Sequence, residues 1–348
     1  MKAKLTVTIF LVFLLGACSM LPELQERWED KTEATGTAKS EDNADRVVKE
    51  EGLIRLPGRF EEVQHYRLRP MEPVLRDIPR EIKRGMRRKP AEYMKPLVRH
   101  LTGSTDDPFL ELKSIHDWIC DNIAYDTEGF FSGNIRSTAY KDVLQKGTAV
   151  CSGYANLFAV MSEMAGFEVY SISGASKGYG YSLFTAEEYE SSHAWNAVRI
   201  KERWYLVDCT WDAGHVRGRD FEKQYSTGYL FLPPEGMIYT HYPEEERWQL
   251  IDPALSYAQY RRLPELRGEF FTYLTVGEDG TAAREVAGSA AVTFGKRRPE
   301  PIQAHVVSED GKKIESAAFV DNTAEQASIH LALPEPGGYA VRLFASNG

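Results

Sequence analysis

The sequence predicts an α+β protein with an all-β C-terminal region, and three observations support that fold class. Two stretches, residues 108–124 and about 151–164, space their apolar residues as amphipathic helices do. Two strand-like runs, 193–200 and 204–208, stand back to back as in a hairpin. From Phe270 onward, alternating runs are separated by Gly, Pro, Asn and Asp, a pattern typical of a small β-sandwich.

Both helix patterns have recognisable ends. Pro108 lies near the start of the first, and Gly166 stops the second. The first pattern places these apolar residues on one face: Leu112, Ile115, Trp118, Ile119 and Ile123. The second pattern does the same with Tyr154, Leu157, Phe158, Met161 and Met164. We therefore expect two core helices, the second beginning close to Cys151.

The region between the second helix and the hairpin holds one strand and one loop. Residues 167–173 alternate between apolar and polar, which predicts a strand. Residues 174–190 are rich in Gly, Tyr and Ser and are too polar for a core, so we expect a surface loop. The short charged link at 201–203 then joins two strands into an antiparallel hairpin.

The N-terminus resembles a bacterial export signal. Lys2 and Lys4 precede an eleven-residue stretch, Leu5–Leu15, which is too short to span a bilayer because a spanning helix needs about 20 residues. Its end, LGAC at residues 15–18, resembles a lipobox, whose cysteine is lipidated after cleavage. The alternative is an ordinary signal with a chance cysteine. The resemblance implies a signal peptide over 1–17 and an extracytoplasmic lipoprotein anchored to a membrane through Cys18.

Composition divides the rest of the chain into four parts. Residues 18–57 contain an acidic segment poor in large apolar residues, which predicts a flexible tether. We expect a helical lead-in over 58–104, the α+β domain over 105–268 and the β-sandwich-like domain over 269–348. Residues 59–100 carry twelve Arg or Lys against six Asp or Glu. This excess is either a patch for anionic partners or, as we favour, the solvated face of packed helices.

Composition also excludes several classes of protein. The formal net charge of the 348 residues is −9, and Gly and Pro occur at about average frequency. A general nucleic-acid binder, a collagen-like chain and a wholly disordered chain are therefore excluded. The oligomeric state stays open, and so does the question of whether the sequence continues beyond its last strand-like run.

Four cysteines are too few for a disulfide scaffold. With Cys18 lipidated and Cys151 free, Cys120 and Cys209 can either pair or remain two buried thiols. Zinc was considered because histidines accompany these cysteines, at positions 116, 193 and 215. Neither Cys-x-x-Cys nor His-Glu-x-x-His occurs, however, so no metal and no cofactor is predicted.

Cys151 is the candidate nucleophile. Acyl-transfer catalysis needs a nucleophile, a base within reach and a group that orients the base. Cys151 opens a predicted helix, where unpaired N–H groups and the helix dipole favour a thiolate over a thiol. Three small neighbours, at positions 152, 153 and 155, leave room for a substrate chain. A buried cysteine that acts as a small apolar side chain is the alternative.

His193 begins one strand of the hairpin and Asp208 ends the other. If residues 200 and 201 form the turn, the two lie opposite each other; if 201 and 202 form it, they are diagonal neighbours. Both side chains project from the same face in either register, within reach of a hydrogen bond. Asp208 can then hold one tautomer of the imidazole while the other ring nitrogen faces the thiol.

Two further side chains bear on this site. Asp212 follows a tryptophan and is predicted to be a loop or turn residue outside the chemistry. Gln145 is a candidate oxyanion donor beside the backbone N–H of Cys151. An exposed loop glutamine is the favoured alternative for Gln145.

Three motifs resemble those of the transglutaminase-like superfamily. Residues 147–155 (GTAVCSGYA) resemble its cysteine motif, 192–196 (SHAWN) its histidine motif and 204–211 (WYLVDCTW) its aspartate motif. Segments at 231–232 and 239–243 resemble the kyphoscoliosis-peptidase branch. The resemblance covers about residues 108–265 and implies a papain-like thiol-protease core.

The resemblance implies a triad with Cys151 as nucleophile, His193 as base and Asp208 as orienter. The implied activity is that of a cysteine acyl-transferase or hydrolase, most simply a peptidase that cleaves peptide or amide bonds through a thioester. Animal transglutaminases have Trp directly after the cysteine, where this chain has Ser152, and no EF-hand-like acidic cluster is present. Calcium-dependent cross-linking is therefore not implied. A non-catalytic binding or scaffold lipoprotein on the same fold is the alternative function.

Overall fold

The computed structural model describes residues 9–14, 59–135, 137–179, 181, 189–275, 289–308, 312–334 and 338–345, with the backbone alone for 9–14, 59–60, 289–290 and 338. Cys18 and the predicted tether lie outside the described residues. The chain divides into two compact units. The first unit comprises Leu56–Tyr260 and Arg267–Thr272, and the second comprises Met1–Arg55, Arg261–Leu266 and Tyr273–Gly348.

The α-helices of the described residues are α1 (Arg59–Arg67), α2 (Arg80–Arg88), α3 (Pro90–Thr102), α4 (Pro108–Asn122), α5 (Thr127–Ser132), α6 (Tyr140–Lys146), α7 (Cys151–Met164), α8 (Cys209–Ala213), α9 (Pro234–Met237), α10 (Tyr257–Arg262) and α11 (Phe270–Tyr273). Short 3₁₀ helices cover Pro73–Leu75 and Glu246–Gln249.

The strands of the described residues are β1 (Ile9–Leu14), β2 (Ala124–Tyr125), β3 (Thr148–Ala149), β4 (Glu168–Ser176), β5 (His193–Ile200), β6 (Arg203–Val207), β7 (Gly214–Arg217), β8 (Asp220–Lys223), β9 (Leu230–Leu232), β10 (His241–Pro243), β11 (Glu265–Leu266), β12 (Leu274–Thr275), β13 (Ser289–Lys296), β14 (Ile302–Ser308), β15 (Lys313–Ile314), β16 (Ala318–Asn322), β17 (Gln326–Ala332) and β18 (Gly338–Ala345).

The first unit is built around a five-stranded antiparallel sheet in the order β10-β4-β5-β6-β9. Helix α7 packs against β4 and β5, and α4 packs against α7 and α8. All but one of the apolar side chains predicted for the inner faces of both helices form the core with the sheet. The exception is Met164, the last residue of α7, which is 44% exposed, so its predicted place on the inner face is wrong. Buried members include Leu112, Ile115, Ile119, Leu157, Phe158, Met161, Val198 and Val207.

The two predicted helices are confirmed, and their N-termini differ in a way that matters for chemistry. At the start of α4, the Asp107 side chain accepts a hydrogen bond of 2.9 Å from the Phe109 N–H, and Pro108 occupies the first helical position. At the start of α7, Val150 has no side-chain group to cap the helix. The first N–H groups of α7, beginning at Cys151, are therefore not satisfied by a capping side chain.

The predicted hairpin is confirmed as β5 and β6, and its register distinguishes the two alternatives. Ile200 pairs with Arg203, so residues 201 and 202 form the turn. His193 and Asp208 are therefore diagonal neighbours, as the second register predicts. Strand β6 ends one residue before Asp208, which instead caps the N-terminus of α8.

The strand predicted at 167–173 is longer than expected. It is observed as β4, which runs from Glu168 to Ser176 and so takes in the start of the predicted loop. The reason is a long-range partner, because Gly174 and Ser176 pair with Pro243 and His241 of β10. Local polarity does not reveal such a partner.

The second unit contains two antiparallel sheets, in the orders β11-β1-β18-β14-β15 and β12-β13-β17-β16. Alternate residues are buried along its strands, for example Ala327, Ile329 and Leu331 in β17. This period of two is what the alternating apolar pattern predicts. The α+β fold class with a sheet-rich C-terminal region is confirmed.

Ile9–Leu14, within the apolar stretch of the predicted signal, forms β1 in the uncleaved chain, pairing with β18 and β11. Removal of residues 1–17 would remove β1 from that sheet, and the signal peptide stays a prediction. Among the described residues, no helix has the length and apolar character needed to cross a membrane.

Candidate active site

Cys151 is the first residue of α7 and is partly exposed. Burial raises the pKa of its thiol, but a hydrogen bond with His193 and the positive charge of that ring lower it, as does a hydrogen bond from the backbone N–H of Ala194. The net result is a pKa below that of an ordinary thiol. This side chain is therefore poised to be a thiolate.

His193 and Asp208 are joined by a hydrogen bond of 2.7 Å between Nε2 and Oδ2, and both are buried. The other carboxylate oxygen accepts from the backbone N–H groups of Thr210 and Trp211, at 2.8 and 3.3 Å. The N-cap geometry of α8 therefore fixes the carboxylate that holds the imidazole.

Charge explains the protonation of this pair. Burial alone would lower the pKa of His193, but the charge and hydrogen bond of Asp208, with a contribution from Cys151, raise it to about 10. Burial alone would raise the pKa of Asp208, but His193 and a hydrogen bond from His241 hold it well below its usual range. Near neutral pH the pair is therefore an imidazolium and a carboxylate.

His241 is a third ionisable group at this carboxylate, and the site prediction from sequence omitted it. Its Nε2 lies 3.1 Å from Asp208 Oδ2, and its Nδ1 lies 2.9 Å from Thr240 Oγ1. Burial and the nearby charge of His193 lower the pKa of His241 to about 4, although Asp208 acts in the opposite direction. Its segment was noticed only through the branch resemblance at 239–243.

A group of aromatic side chains includes Tyr125, whose strand β2 pairs with β3 just before Cys151. Burial and the negative charges of Cys151 and Asp208 raise the pKa of Tyr125. The ring of Phe130 lies 5.8 Å from that of Tyr125, and the ring of Tyr179 lies 6.1 Å from that of Phe130. Phe130 and Tyr179 are 37% and 57% exposed, so this aromatic group offers an apolar surface to solvent.

Gln145 is an exposed residue of α6, and among the described residues its side chain makes no hydrogen bond. Its role as an oxyanion donor stays a prediction. Gln145 is a helix residue and not a loop residue because the chain from Tyr140 forms a helical turn that ends at Gly147 in the left-handed region (φ +72°).

Asp212 requires a correction, because it is not a loop or turn residue. It lies in α8, is fully buried, and accepts hydrogen bonds from His116 Nε2 (3.0 Å) and the backbone N–H of Tyr229 (3.1 Å to each oxygen). The helix begins because Asp208 caps it, and this turns Asp212 inward.

Four fully buried side chains, Lys113, His116, Asp117 and Asp212, form what we call the buried network. His116 Nδ1 lies 3.0 Å from Asp117 Oδ1, and Lys113 Nζ lies 2.6 Å from Asp117 Oδ2. Carboxylates only accept hydrogen bonds, so both ring nitrogens of His116 donate and the ring is an imidazolium. Although burial opposes it, the surrounding partners raise the pKa of His116 well above its ordinary value. Two positive charges therefore balance two negative ones.

Cys120 and Cys209 are both free thiols beside this network. Cys120 Sγ lies 3.4 Å from the backbone oxygen of Cys209 and 3.5 Å from His116 Nε2. Burial raises the pKa of both thiols. They therefore differ from Cys151 in the direction of the pKa shift.

Within the part of the chain that the structure describes, two groups of side chains bring atoms that can ligate a metal within 4.8 Å of one another. One is His116, Cys120 and Cys209; the other is His193, Asp208 and His241. In both groups hydrogen bonds explain why these atoms lie so close together. His215, also considered as a ligand, lies apart from both and faces Glu222 at 3.4 Å.

Comparison with known proteins identifies the domain that carries Cys151. Residues 95–209 match the family model of the transglutaminase-like superfamily. The chain contains a transglutaminase-like domain. The match includes all three predicted triad positions. The papain-like core implied by the sequence motifs is thus the fold of this transglutaminase-like domain.

Relatives agree with this assignment. The kyphoscoliosis peptidase of Mus musculus is 32% identical over 210 residues, which cover 59% of this chain and 32% of that protein. Hillarin of Drosophila melanogaster is 28% identical over 203 residues, which cover 54% of this chain and 24% of that protein. The chain thus spans about a third or less of the length of these curated relatives.

The solved structures that are similar to this chain are more distant in sequence. A crystal structure of a TGase superposes with a TM-score of 0.29 at 14% identity, covering 47% of this chain and 40% of that chain. The arylamine N-acetyltransferase of Mycobacterium marinum gives a TM-score of 0.25 at 19% identity, covering 34% of this chain and 46% of that chain.

Proposed function

We propose that the chain is a cysteine acyl-transferase or hydrolase of the transglutaminase-like type, and most simply a peptidase. The observation that carries the proposal is a His193 ring that is held by Asp208 at 2.7 Å and hydrogen-bonded to Cys151, the first residue of α7. Nucleophile, base and orienter are the three parts that acyl transfer through a thioester requires.

In the proposed reaction, the Cys151 thiolate attacks the carbonyl carbon of a peptide or carboxamide. The backbone N–H of Cys151 lies at the start of α7, which no side chain caps. Because a helix N-terminus favours negative charge, this N–H can stabilise the oxyanion that forms on the carbonyl oxygen. The His193 imidazolium gives its proton to the leaving amine as the C–N bond breaks, and a thioester remains. Neutral His193 then accepts a proton from water, which attacks the thioester and releases the acid.

The substrate class we propose is a peptide or protein. The exposed rings of Phe130 and Tyr179, which are linked to Tyr125 by ring contacts, suit an apolar side chain of the substrate. A relative that shares the domain is named a peptidase, and this supports hydrolysis as the first reaction to test. A non-catalytic scaffold remains the second candidate, because the fold alone does not establish chemistry.

A peptide library tests the proposal directly. We expect the wild-type chain to cleave a subset of peptides and the Cys151→Ala variant to cleave none of them. Trapping with hydroxylamine should yield the hydroxamate of the acyl group if a thioester forms. Equal cleavage by both proteins, or no turnover of any peptide or carboxamide by a folded wild-type chain, would favour the scaffold.

We also propose that the mature protein is anchored outside the cytoplasm through lipid on Cys18, with the LGAC sequence as the support. Cys18→Ser should leave the protein unprocessed or release it to the soluble fraction. Cys120→Ser is the matched control and should still fractionate with membranes. A Cys18→Ser protein that is cleaved and still membrane-bound would contradict the proposed anchor.

A further inference from the structure

We propose that His241 is a positioning residue for the reaction. In this role, a neutral second imidazole holds the Asp208 carboxylate in the orientation from which it binds His193. The inference rests on the proposed function, since it concerns the same carboxylate. It adds a residue that lies 33 positions beyond Asp208 in the sequence and outside the three matching motifs.

The geometry defines what His241 does at the carboxylate. Both His193 and His241 place Nε2 against the same oxygen, Asp208 Oδ2, at 2.7 and 3.1 Å. A carboxylate oxygen can only accept, so both nitrogens donate. Oδ2 therefore lies between two N–H donors, while Oδ1 is held by two backbone N–H groups. With four donors, Asp208 is fixed in position and in the ionised state.

The contact with Thr240 determines the tautomer of His241. A neutral ring that donates through Nε2 must accept through Nδ1, and the hydroxyl of Thr240 lies 2.9 Å from that atom. The Tyr229 hydroxyl lies 3.5 Å from Thr240 Oγ1 and can donate to it in turn. The Met237 carbonyl oxygen is a second acceptor for the Thr240 hydroxyl, but it lies farther away, at 3.4 Å. With the Thr240 proton on the shorter contact to Nδ1, the order Tyr229, Thr240, His241, Asp208 is a continuous chain of donors that ends on the carboxylate.

Packing leaves the His241 ring little freedom to turn away. The centroids of the Trp211 and Trp195 rings lie 4.6 and 4.9 Å from that of His241. The ionisable groups that face it are Asp208, His193 and Tyr229, whose ring centroid is 5.3 Å away. His241 itself is 1% exposed. A neutral ring in this position supplies a hydrogen bond without adding a second positive charge beside His193.

Gly174 allows β10 to approach β4 closely, and this places His241 against Asp208. A Cβ atom there would lie 2.2 Å from the Tyr242 backbone oxygen and 2.7 Å from the Trp195 ring. The close approach of β10 to β4 therefore depends on a residue without a side chain. The position of His241 is built into the sheet by this contact.

Three substitutions separate a positioning role from a volume-filling role. His241→Gln keeps an N–H donor at about the position of Nε2, His241→Asn has its donor at about the position of Nδ1, and His241→Phe keeps the ring volume without any donor. We expect Phe and Asn to slow alkylation of Cys151 by iodoacetamide at pH 6 by about tenfold, the value of one hydrogen bond to a charged group. We expect Gln to retain most of the wild-type rate.

The same variants should separate kcat from KM on any peptide that the wild type cleaves. Loss of carboxylate orientation lowers kcat about tenfold in the Phe variant and leaves KM nearly unchanged, because His241 does not touch the substrate. His305→Gln in the second unit is the matched histidine control and should behave as wild type. Circular dichroism and thermal melting restrict the comparison to folded protein.

The outcomes are distinguishable from failure of the proposed function. If wild-type Cys151 reacts at pH 6 and the Phe and Gln variants both react at the wild-type rate, the positioning role is wrong and the proposed chemistry stands. A wild-type rate in the Phe variant together with a reduced rate in the Gln variant would show that His241 only fills volume, and this also overturns the inference. If wild-type Cys151 reacts no faster than an ordinary thiol, the proposed function itself fails.

Discussion

Two clusters in the first unit arrange histidines and aspartates in opposite ways. At the active-site cluster (Cys151, His193, Asp208 and His241), one carboxylate lies between two imidazoles. In the buried network (Lys113, His116, Asp117 and Asp212), one imidazole lies between two carboxylates. Each cluster has a cysteine in contact with a histidine: Cys151 with His193 and Cys120 with His116.

The difference lies in burial and in the position of the cysteine on its helix. Cys151 is partly exposed at the first position of α7, and the pKa of its thiol is lowered. Cys120 is fully buried near the C-terminal end of α4, and burial raises the pKa of its thiol well above the ordinary value. A Cys–His contact therefore marks a nucleophile only where substrate can reach it and where a helix N-terminus favours the thiolate.

The largest expected effect separates the two cysteines. Cys151→Ala should reduce peptide turnover by about 10⁵-fold, because it removes the nucleophile. Cys151→Ala/His193→Ala should lose nearly the same activity, since residues that act as a unit are not additive. Cys120→Ala should retain turnover and lose about 1 kcal/mol of unfolding free energy. A Cys120→Ala protein that is folded but inactive would break the comparison.

The next effect concerns the carboxylate of the active-site cluster. Asp208→Asn should lower kcat by about 10³- to 10⁴-fold while the fold survives, because an amide can present its N–H to His193 and favour the wrong tautomer. Turnover assays and circular dichroism on the same preparation check this. Wild-type activity in Asp208→Asn would show that Asp208 does not orient the base.

The corresponding change in the buried network should affect stability. Asp212→Asn removes one charge from a buried, balanced set and should cost about 3 kcal/mol of unfolding free energy, measured by denaturant titration. The folded fraction should alkylate Cys151 at the wild-type rate. If Asp212→Asn instead lost thiol reactivity without losing stability, the two clusters would have to be treated as one functional site.

The smallest effect is a shift along the pH axis. The pKa of His193 is raised to about 10, so the imidazolium that protonates the leaving amine is present at neutral pH and is lost as the pH rises through about 10. Turnover should therefore fall about tenfold per pH unit above that value. In Asp208→Asn the residual activity should begin to fall nearer the ordinary histidine pKa of about 6.5. An alkaline limb near 7 in the wild type would contradict the assigned charge state.

The sequence alone predicted the positions of those site residues whose placement follows from local spacing. Helix periodicity located Cys151 at the start of α7, and hairpin parity placed His193 and Asp208 on one face in either register. The register itself could not be read, since it depends on which residues form the turn at Lys201, whose φ is +56°. Positive φ at lysine is not a pattern that composition reveals.

His241 and Asp212 could not be predicted because long-range and capping contacts place them. His241 reaches the site only because β10 pairs with β4, and a three-residue strand carries no periodicity. Asp212 faces inward because Asp208 caps a five-residue helix, which is too short for a helical pattern. Neither residue type nor local spacing distinguishes them from ordinary polar positions.

The most direct test is alkylation of the three cysteines of the first unit in the folded chain. Iodoacetamide rates at Cys151, Cys120 and Cys209 would be measured from pH 5 to 9 by peptide mass spectrometry, with the urea-unfolded chain as reference. We predict that Cys151 reaches half its maximal rate at a lower pH than the same cysteine in the urea-unfolded chain, and that the other two react at least about 100-fold more slowly. A Cys151 profile that coincides with the unfolded reference, or equal reactivity at Cys120, would contradict the distinction between nucleophile and buried network.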